Sequence, residues 1–381
     1  MLEIDTLTII ACCIVLFCTI AACVFNPFFK RVRTNLTKGE IFEDEGISII
    51  FTPHDQARKL ENHLPLFLNQ NFDKKFQIIV VAERGDNDTI DVLKRLKGEW
   101  GDKLYYTLIP ESSRYMSRKK LQITLGVKAA HYNWILLVDP TNRPQSEGWL
   151  NAISQYCTHK NNLVMGVTMY DEATSEYKRF EHILRSCDFM KRATKLAFST
   201  NMHLIGFKKD EFLAQEGFRG NLQLIRGEYN FLINKYAKRN GTLIACEPEC
   251  ILLEDKPTKK TWKYLHLYDL ASKAVLDRTI RPKLWKNTCN VLLHTSLCLN
   301  IFAVIYSILK ENFILLGIAI FCIALLFSIR WITANKAVHQ FDSNISTFKM
   351  PFYELTFIWR ILYHKWQYLR ADKNDFTSHK L

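Results

Sequence analysis

Glycine and proline are scarce in this chain, 14 and 10 among 381 residues. That excludes a collagen-like repeat and a flexible Pro/Gly linker protein. No segment recurs at a fixed period, so nothing points to a solenoid. Disorder is excluded by 48% apolar against 23% charged residues. Cysteine is plentiful, at 11 residues, but companions for metal binding are lacking. Cys12, Cys13, Cys18, Cys23, Cys289, Cys298 and Cys322 lie in apolar runs, where a thiol behaves as a small hydrophobe. Cys157 and Cys187 stand apart, and Cys246 and Cys250 form a C-x3-C pair with neither a second pair nor a histidine cluster. Reduced cytosolic thiols are expected rather than zinc. Acidic residues are outnumbered 38 to 51, giving +13, which suits nucleic acid, anionic lipid or a phosphorylated substrate. No nucleic-acid motif accompanies the excess, and much of it flanks apolar runs, so nucleic acid is set aside.

Those apolar runs are the first positive feature. Residues 7–25 form an uninterrupted apolar stretch, long enough to cross hydrocarbon at about 1.5 Å per residue. Glu3 and Asp5 precede it while Lys30, Arg31 and Arg33 follow, the reverse of a secretory signal. The order predicts an uncleaved anchor with its N-terminus outside and the rest inside. Residues 291–309 and 313–329 predict a transmembrane hairpin around Lys310, Glu311 and Asn312. Arg281, Lys283 and Lys286 before it, and Arg330 and Lys336 after it, put both flanks in the cytoplasm. Three spans without a broken or strongly polar helix offer no transport pathway. His294 is expected to be neutral and hydrogen-bonded. In the tail, Phe352, Leu355, Ile358, Leu362 and Trp366 recur at helical spacing among basic residues. They predict an amphipathic helix, lying at a membrane interface or packed on the soluble domain.

Between the spans, strand-like and helix-like patterns alternate. Strands are expected over 47–51, 77–82, 103–109 and 134–138, with helices over 56–70, 89–96 and 118–130. Val/Ile/Leu strands alternating with helices predict a mainly parallel sheet covered on both faces. Ligands of such sheets bind beyond the carboxyl ends of the strands. The polar residues there are Thr52, His54 and Asp55 after the first strand, Glu83 to Thr89 after the second, and Asp139 to Arg143 after the fourth. Asp86 and Asp88 are read as helix caps. Glu83 and Asp139, directly after buried strands, are read as functional: acids there can accept from a nucleoside or hold a hard cation on a diphosphate.

The order of four pieces resembles the family 2 glycosyltransferases, particularly membrane-anchored bacterial members with a C-terminal transmembrane hairpin. The pieces are ISIIFTPHDQARKLENHLPLFLNQNF, FQIIVVAERGDNDTIDVLKRL, SRKKLQITLGVKAAHYNWILLVDPTNRPQSEGWL and GFRGNLQLIRGEYNFLINKYAKRNG. The resemblance implies an α/β, GT-A-like fold, a nucleotide-sugar donor, Mg²⁺ or Mn²⁺, and inverting transfer to a lipid-linked or polysaccharide acceptor. It also implies the bacterial inner membrane, membrane lipid as a neighbour and a soluble domain on the cytoplasmic face. By the same resemblance Glu83 contacts the base, and Thr52, His54, Asp55, Lys119, Asp139 and Thr141 belong to the donor site, with Asp139 on the metal. The implied division is an anchor over 1–27, a GT-A-like domain over 46–260, a basic and aromatic connector over 261–286, a hairpin over 287–331 and an interfacial tail over 332–381.

Three positions depart from the family pattern. Its D-x-D motif reads Asp139-Pro140-Thr141, so the second carboxylate is missing. At the base position the chain reads Gly227-Glu228-Tyr229, with Tyr229 where an aspartate is usual and Glu228 as the neighbouring candidate base. A phenol of pKa about 10 is a poor base at neutral pH. No arginine lies between Arg239 and Arg278, so the stretch around Trp262, Tyr264 and Tyr268 offers only lysine charges to a phosphate. Two readings stay open: a transferase with altered ligands, or an inactive GT-A-like pseudoenzyme acting as partner or regulator of another membrane transferase.

Overall fold

The computed structural model describes residues 5–29, 46–110, 116–341 and 344–377. Glu3, Lys30, Arg31 and Arg33, which the orientation argument used, lie outside the described residues. The elements begin with α1 (Thr6–Val24), β1 (Gly46–Phe51), α2 (Ala57–Leu68), β2 (Lys75–Glu83), α3 (Asn87–Trp100) and β3 (Leu104–Ile109). Next come α4 (Arg118–Ala129), β4 (Trp134–Val138), β5 (Asn142–Pro144), α5 (Trp149–Ser154), β6 (Leu163–Gly166), β7 (Thr168–Tyr170) and α6 (Glu176–Leu196). After these follow β8 (Leu204–Lys208), α7 (Lys209–Ala214), α8 (Glu228–Tyr236), β9 (Thr242–Ala245), β10 (Leu252–Glu254) and α9 (Lys259–Val275). Three long helices end the chain: α10 (Ile280–Leu309), α11 (Phe313–Gln340) and α12 (Met350–Arg370).

The chain divides into two compact units. The α/β unit comprises Val32–Thr174, Arg192–Asp277 and His364–Leu381. Its main sheet has the order β3-β2-β1-β4-β8-β6-β9. β1 and β4 are buried along their whole length, as unbroken apolar strands covered on both faces must be. Phe51, Phe67 and Trp149 meet edge to face, with centroids 5.0 and 5.3 Å apart, beside Leu64, Val80 and Leu136. Each such side chain contributes roughly 1.5–3 kcal/mol by leaving water. Gly126 lets α4 lie close on the sheet, because a Cβ there would stand 2.8 Å from Ile50 Cγ2.

The four strands expected from the sequence all form, and they pair in parallel. The main sheet is mainly parallel as expected, since β6 and β9 also pair in parallel, but it is partly antiparallel. β8 runs antiparallel to both β4 and β6, and β5, β10 and β7 make a separate three-stranded sheet. These later strands are three to five residues long, too short to show a period in the sequence.

The helical unit comprises Met1–Arg31, Ser175–Lys191 and Arg278–Tyr363. Among the described residues three helices, α1, α10 and α11, are long and apolar enough to cross a membrane. They pack on one another through Val15, Ala303, Leu315, Ala319 and Cys322. Asn300 Nδ2 donates to Thr19 Oγ1 at 3.0 Å, and Asn312 Nδ2 to Thr8 Oγ1 at 2.7 Å. The second contact sets the start of α1 beside the α10–α11 turn. Phe17, Phe302 and Phe321 face outward, as lipid-facing side chains would. Arg330, expected among the flanking charges, is instead buried. Its Nε donates to Glu354 Oε2 at 3.0 Å, and its Nη2 to Oε1 at 2.5 Å. His294 Nδ1 lies 2.9 Å from the Asn290 carbonyl, so it is hydrogen-bonded as expected.

Candidate active site

The site is built on three adjacent parallel strands of the α/β unit, β2, β1 and β4, which end in Glu83, Thr52-Pro53-His54 and Asp139. Helix α4 starts beside them, with Ser117 capping it by accepting from the Lys120 amide. Its first two side chains part. Arg118 Nη1 donates to Glu83 Oε2 at 2.7 Å, and Lys119 Nζ donates to Asp139 Oδ2 at 2.8 Å. One helical turn therefore holds both strand-end acids.

Glu83 is buried, and its other oxygen is 2.8 Å from His54 Nδ1. An ionised carboxylate only accepts, so that nitrogen carries the proton. His54 is half exposed and Asp55 projects into solvent, 3.8 Å from it. Asp55 sits in the left-handed region at φ 51°, which aspartate tolerates, and its amide donates to Asp86 Oδ2 at 3.1 Å. Asp86 also caps α3 by accepting from the Thr89 amide at 3.2 Å, the structural role expected for it. The Thr52 hydroxyl is buried with no hydrogen-bond partner among the described residues.

At Asp139 both carboxylate oxygens are hydrogen-bonded, three bonds on about four acceptor sites. Oδ2 takes Lys119, while Oδ1 takes the Thr141 amide at 3.1 Å and the Thr141 hydroxyl at 2.9 Å, an Asx-type turn. Burial alone would raise the carboxyl pKa. Lys119, His203 and the Thr141 amide outweigh it and hold the group far below the usual carboxylate range. The turn is anchored to the start of β8, because Asn142 Nδ2 donates to the His203 carbonyl at 3.0 Å.

His203 and Glu254, which sequence reasoning missed, complete the cluster. His203 Nδ1 is 3.2 Å from Glu254 Oε2. Burial works to lower the imidazole pKa, but Glu254 and then Asp139 outweigh it and raise the value above normal. The signal was weak: His203 immediately precedes a five-residue strand and Glu254 ends a three-residue one.

Tyr229 and Glu228 begin α8, where Gly227 has φ 102° and a Cβ would stand 2.7 Å from Ser272 Cβ, so only glycine fits. The Tyr229 ring lies 5.4 Å from the His203 ring, with Lys119 Nζ 5.8 Å from its centroid. Burial, then the Asp139, Glu228 and Glu254 carboxylates, push the phenol well above its ordinary value. Its hydroxyl has no partner among the described residues. Glu228 is buried too; Oε2 accepts from the Gly227 amide at 3.2 Å and Oε1 has no partner among the described residues. Tyr229, not Glu228, thus stands with Lys119 and His203. The connector residues Tyr264 and Tyr268 pack around Leu267, Ala271 and Phe376 within the α/β unit. Cys246 and Cys250 are buried, and neither forms a disulfide among the described residues.

No protein-family model matches the chain, and no curated protein matches it. Solved structures do. A mannosyltransferase from Pyrobaculum calidifontis, in complex with GDP-Man and Mn²⁺, is 14% identical over 84% of this chain and 98% of its own, with TM-score 0.50. TarS residues 1–349 from S. aureus with UDP-GlcNAc is 11% identical over 83% of this chain and 92% of its own, with TM-score 0.42. At such identity the likeness to the mannosyltransferase shows the fold alone, a mixed α/β fold.

The residues at Asp139 do not fit a divalent cation. A hard cation needs several free oxygen ligands. Asp139 offers none unbonded, Thr141 replaces a second carboxylate, and an ammonium already sits 2.8 Å away. Among the described residues no three His, Cys, Asp or Glu side chains come together as a metal site.

Proposed function

We propose that the chain is a membrane-anchored glycosyltransferase of the GT-A type, related to family 2, which takes a sugar from a nucleotide-sugar donor. The observation that carries this is the first turn of α4, which holds Glu83 through Arg118 and Asp139 through Lys119 at the ends of neighbouring parallel strands. Acids for the base and ribose and cations for the diphosphate then lie within one crevice, where open α/β sheets bind ligands. Glu83 and His54 take the nucleoside end; Asp139, Thr141 and Lys119 take the diphosphate end. The acceptor is a lipid-linked or polysaccharide glycan at the cytoplasmic face of a bacterial inner membrane. Three apolar helices support that location, and the Asn312–Thr8 contact supports a topology with the N-terminus and hairpin turn on one, outer side. The apolar side of α12, where Phe352, Trp359, Leu362 and Trp366 are exposed, supports contact with the membrane interface.

For proton transfer Tyr229 is unsuited, since its phenol keeps its proton at neutral pH. Glu228 is the remaining candidate base; its unbonded oxygen is buried outside the Lys119–His203 cluster and would have to reorient to take a proton from an acceptor hydroxyl. A second reading is favoured by the same tyrosine: a module that binds the donor without transferring it, as partner or regulator of another membrane transferase.

Titration of the detergent-purified full chain with UDP, GDP, CDP and dTDP forms of common sugars tests the shared part. One nucleotide should bind, and Glu83→Ala should weaken it at least about tenfold, the loss of one charged contact. A folded sample that binds none sinks the reading. Incubating the chosen donor with lipid-linked acceptors separates the two versions: glycosylated product means a transferase, and binding without product means the pseudoenzyme.

A further inference from the structure

The family resemblance brings a divalent cation to Asp139, yet that position already contains a cation. Lys119 Nζ is 2.8 Å from Asp139 Oδ2, and both side chains keep a small opening to solvent, 14% and 13% of their surface. The ammonium has three N–H donors. Among the described residues its only hydrogen bond goes to Asp139, so the other donors can meet a ligand. Its neighbour Lys120 is different: fully buried, it donates to the Asn221 and Leu224 carbonyls and to Asn221 Oδ1, and holds loop backbone rather than a ligand. Arg118 adds a half-exposed guanidinium one residue earlier.

Charge accounting points the same way. Two acids, Asp139 and Glu254, face Lys119 and the imidazole of His203. An added divalent cation would have to share Asp139 Oδ2 with the ammonium or displace the threonine donors from Oδ1. It would also meet the Lys119 ammonium within a few ångströms, and like charges repel strongly at that separation. A diphosphate needs no such rearrangement, because it takes the unused donors of Lys119 directly.

We propose that Lys119, fixed by Asp139, replaces the divalent cation as the counter-charge of a nucleoside diphosphate, so that this site binds its donor without metal. Asp139 is then a positioning residue: it aims and retains the ammonium. The inference rests on the nucleotide-sugar reading above and narrows it. The site takes the diphosphate itself, not its metal complex.

The test uses the full chain in detergent, with inorganic pyrophosphate and each of UDP, GDP, CDP and dTDP as probes. Each is titrated in EDTA and again in Mn²⁺, against wild type, Lys119→Met and Lys119→Arg. Pyrophosphate and one nucleotide should bind in EDTA and no more tightly in Mn²⁺, where chelation of the free diphosphate can only weaken the apparent affinity. Lys119→Met should weaken both at least about tenfold, while Lys119→Arg, which keeps the charge, stays within about threefold; these are the usual effects of one charge-assisted bond. Binding that tightens tenfold or more with Mn²⁺ overturns the inference and leaves the donor-binding reading standing. Binding in EDTA that ignores Lys119→Met in a sample with an intact melting transition also overturns it. Failure of every probe in both buffers removes the nucleotide reading and the inference together. Should Lys119→Met not fold, the wild-type comparison of EDTA with Mn²⁺ decides alone.

Discussion

Each unit of the molecule contains an ion pair shielded from water, fully in one and partly in the other, and the two pairs are built differently. In the helical unit Arg330 meets Glu354 through two parallel hydrogen bonds, and the residues are 4% and 7% exposed. The Arg330 guanidinium also reaches the Ala22 carbonyl, so it ties the start of α12 to α1. In the α/β unit Lys119 meets Asp139 through one bond, with spare donors and an opening to solvent. A closed pair has nothing left to offer a ligand and serves the fold. An open one carries unspent hydrogen-bonding capacity at the carboxyl ends of the parallel strands, where open α/β sheets bind ligands.

The comparison breaks most readily at the closed pair. Glu354→Ala strands a buried guanidinium and should cost about 3–5 kcal/mol, read as a lowered melting transition in detergent. The double variant Arg330→Met/Glu354→Leu should recover most of that loss, because it removes both charges. Equal losses in single and double variants would show that the pair is not the source. Next in size, Lys120→Met leaves loop carbonyls at Asn221 and Leu224 without their donor and should cost about 1–3 kcal/mol. Chemical denaturation measures it, and nucleotide affinity should fall less than for Lys119→Met.

Lys119→Met is predicted to be milder for stability, about 1 kcal/mol, since Thr141 still serves Asp139 and solvent reaches the carboxylate. A melting shift as large as that of Glu354→Ala would erase the distinction between open and closed pairs. The smallest effect is a pH dependence. The folded pKa of His203 is raised above its unfolded value, so the stabilisation it brings is complete below about pH 6.5 and is lost as pH rises through the folded pKa. Glu254, Asp139 and Lys119 are the charged groups facing it. The gap in melting temperature between wild type and His203→Gln should therefore narrow as the pH climbs from 6 to 9, and a constant gap would contradict the sign.

What the sequence makes legible follows physical length. The four parallel strands are apolar runs and form close to their expected bounds. The three longer apolar runs also form helices, but α10 starts at Ile280 and α11 continues to Gln340, eleven residues beyond the expected runs at one end each. Glu83 and Asp139 were readable because they directly follow such runs. β8 and β10 were not, since three to five residues carry no period, and His203 and Glu254 were hidden with them. The pairing of Lys119 with Asp139 was also invisible. Twenty residues separate the partners, and only the packing of α4 against the parallel strands brings them together. The sequence showed the loss of a second acid at Thr141; the structure shows the lysine beside the acid that remains.

The most direct test of the account is a structure of the full chain solved with its preferred nucleoside diphosphate in the presence of EDTA. The account predicts the diphosphate oxygens within about 3 Å of Lys119 Nζ, the Lys119–Asp139 pair intact, and the base beside Glu83 and His54. A nucleotide bound elsewhere, or one that enters this crevice only with Mn²⁺ seated on Asp139 and Lys119 turned away, would contradict it.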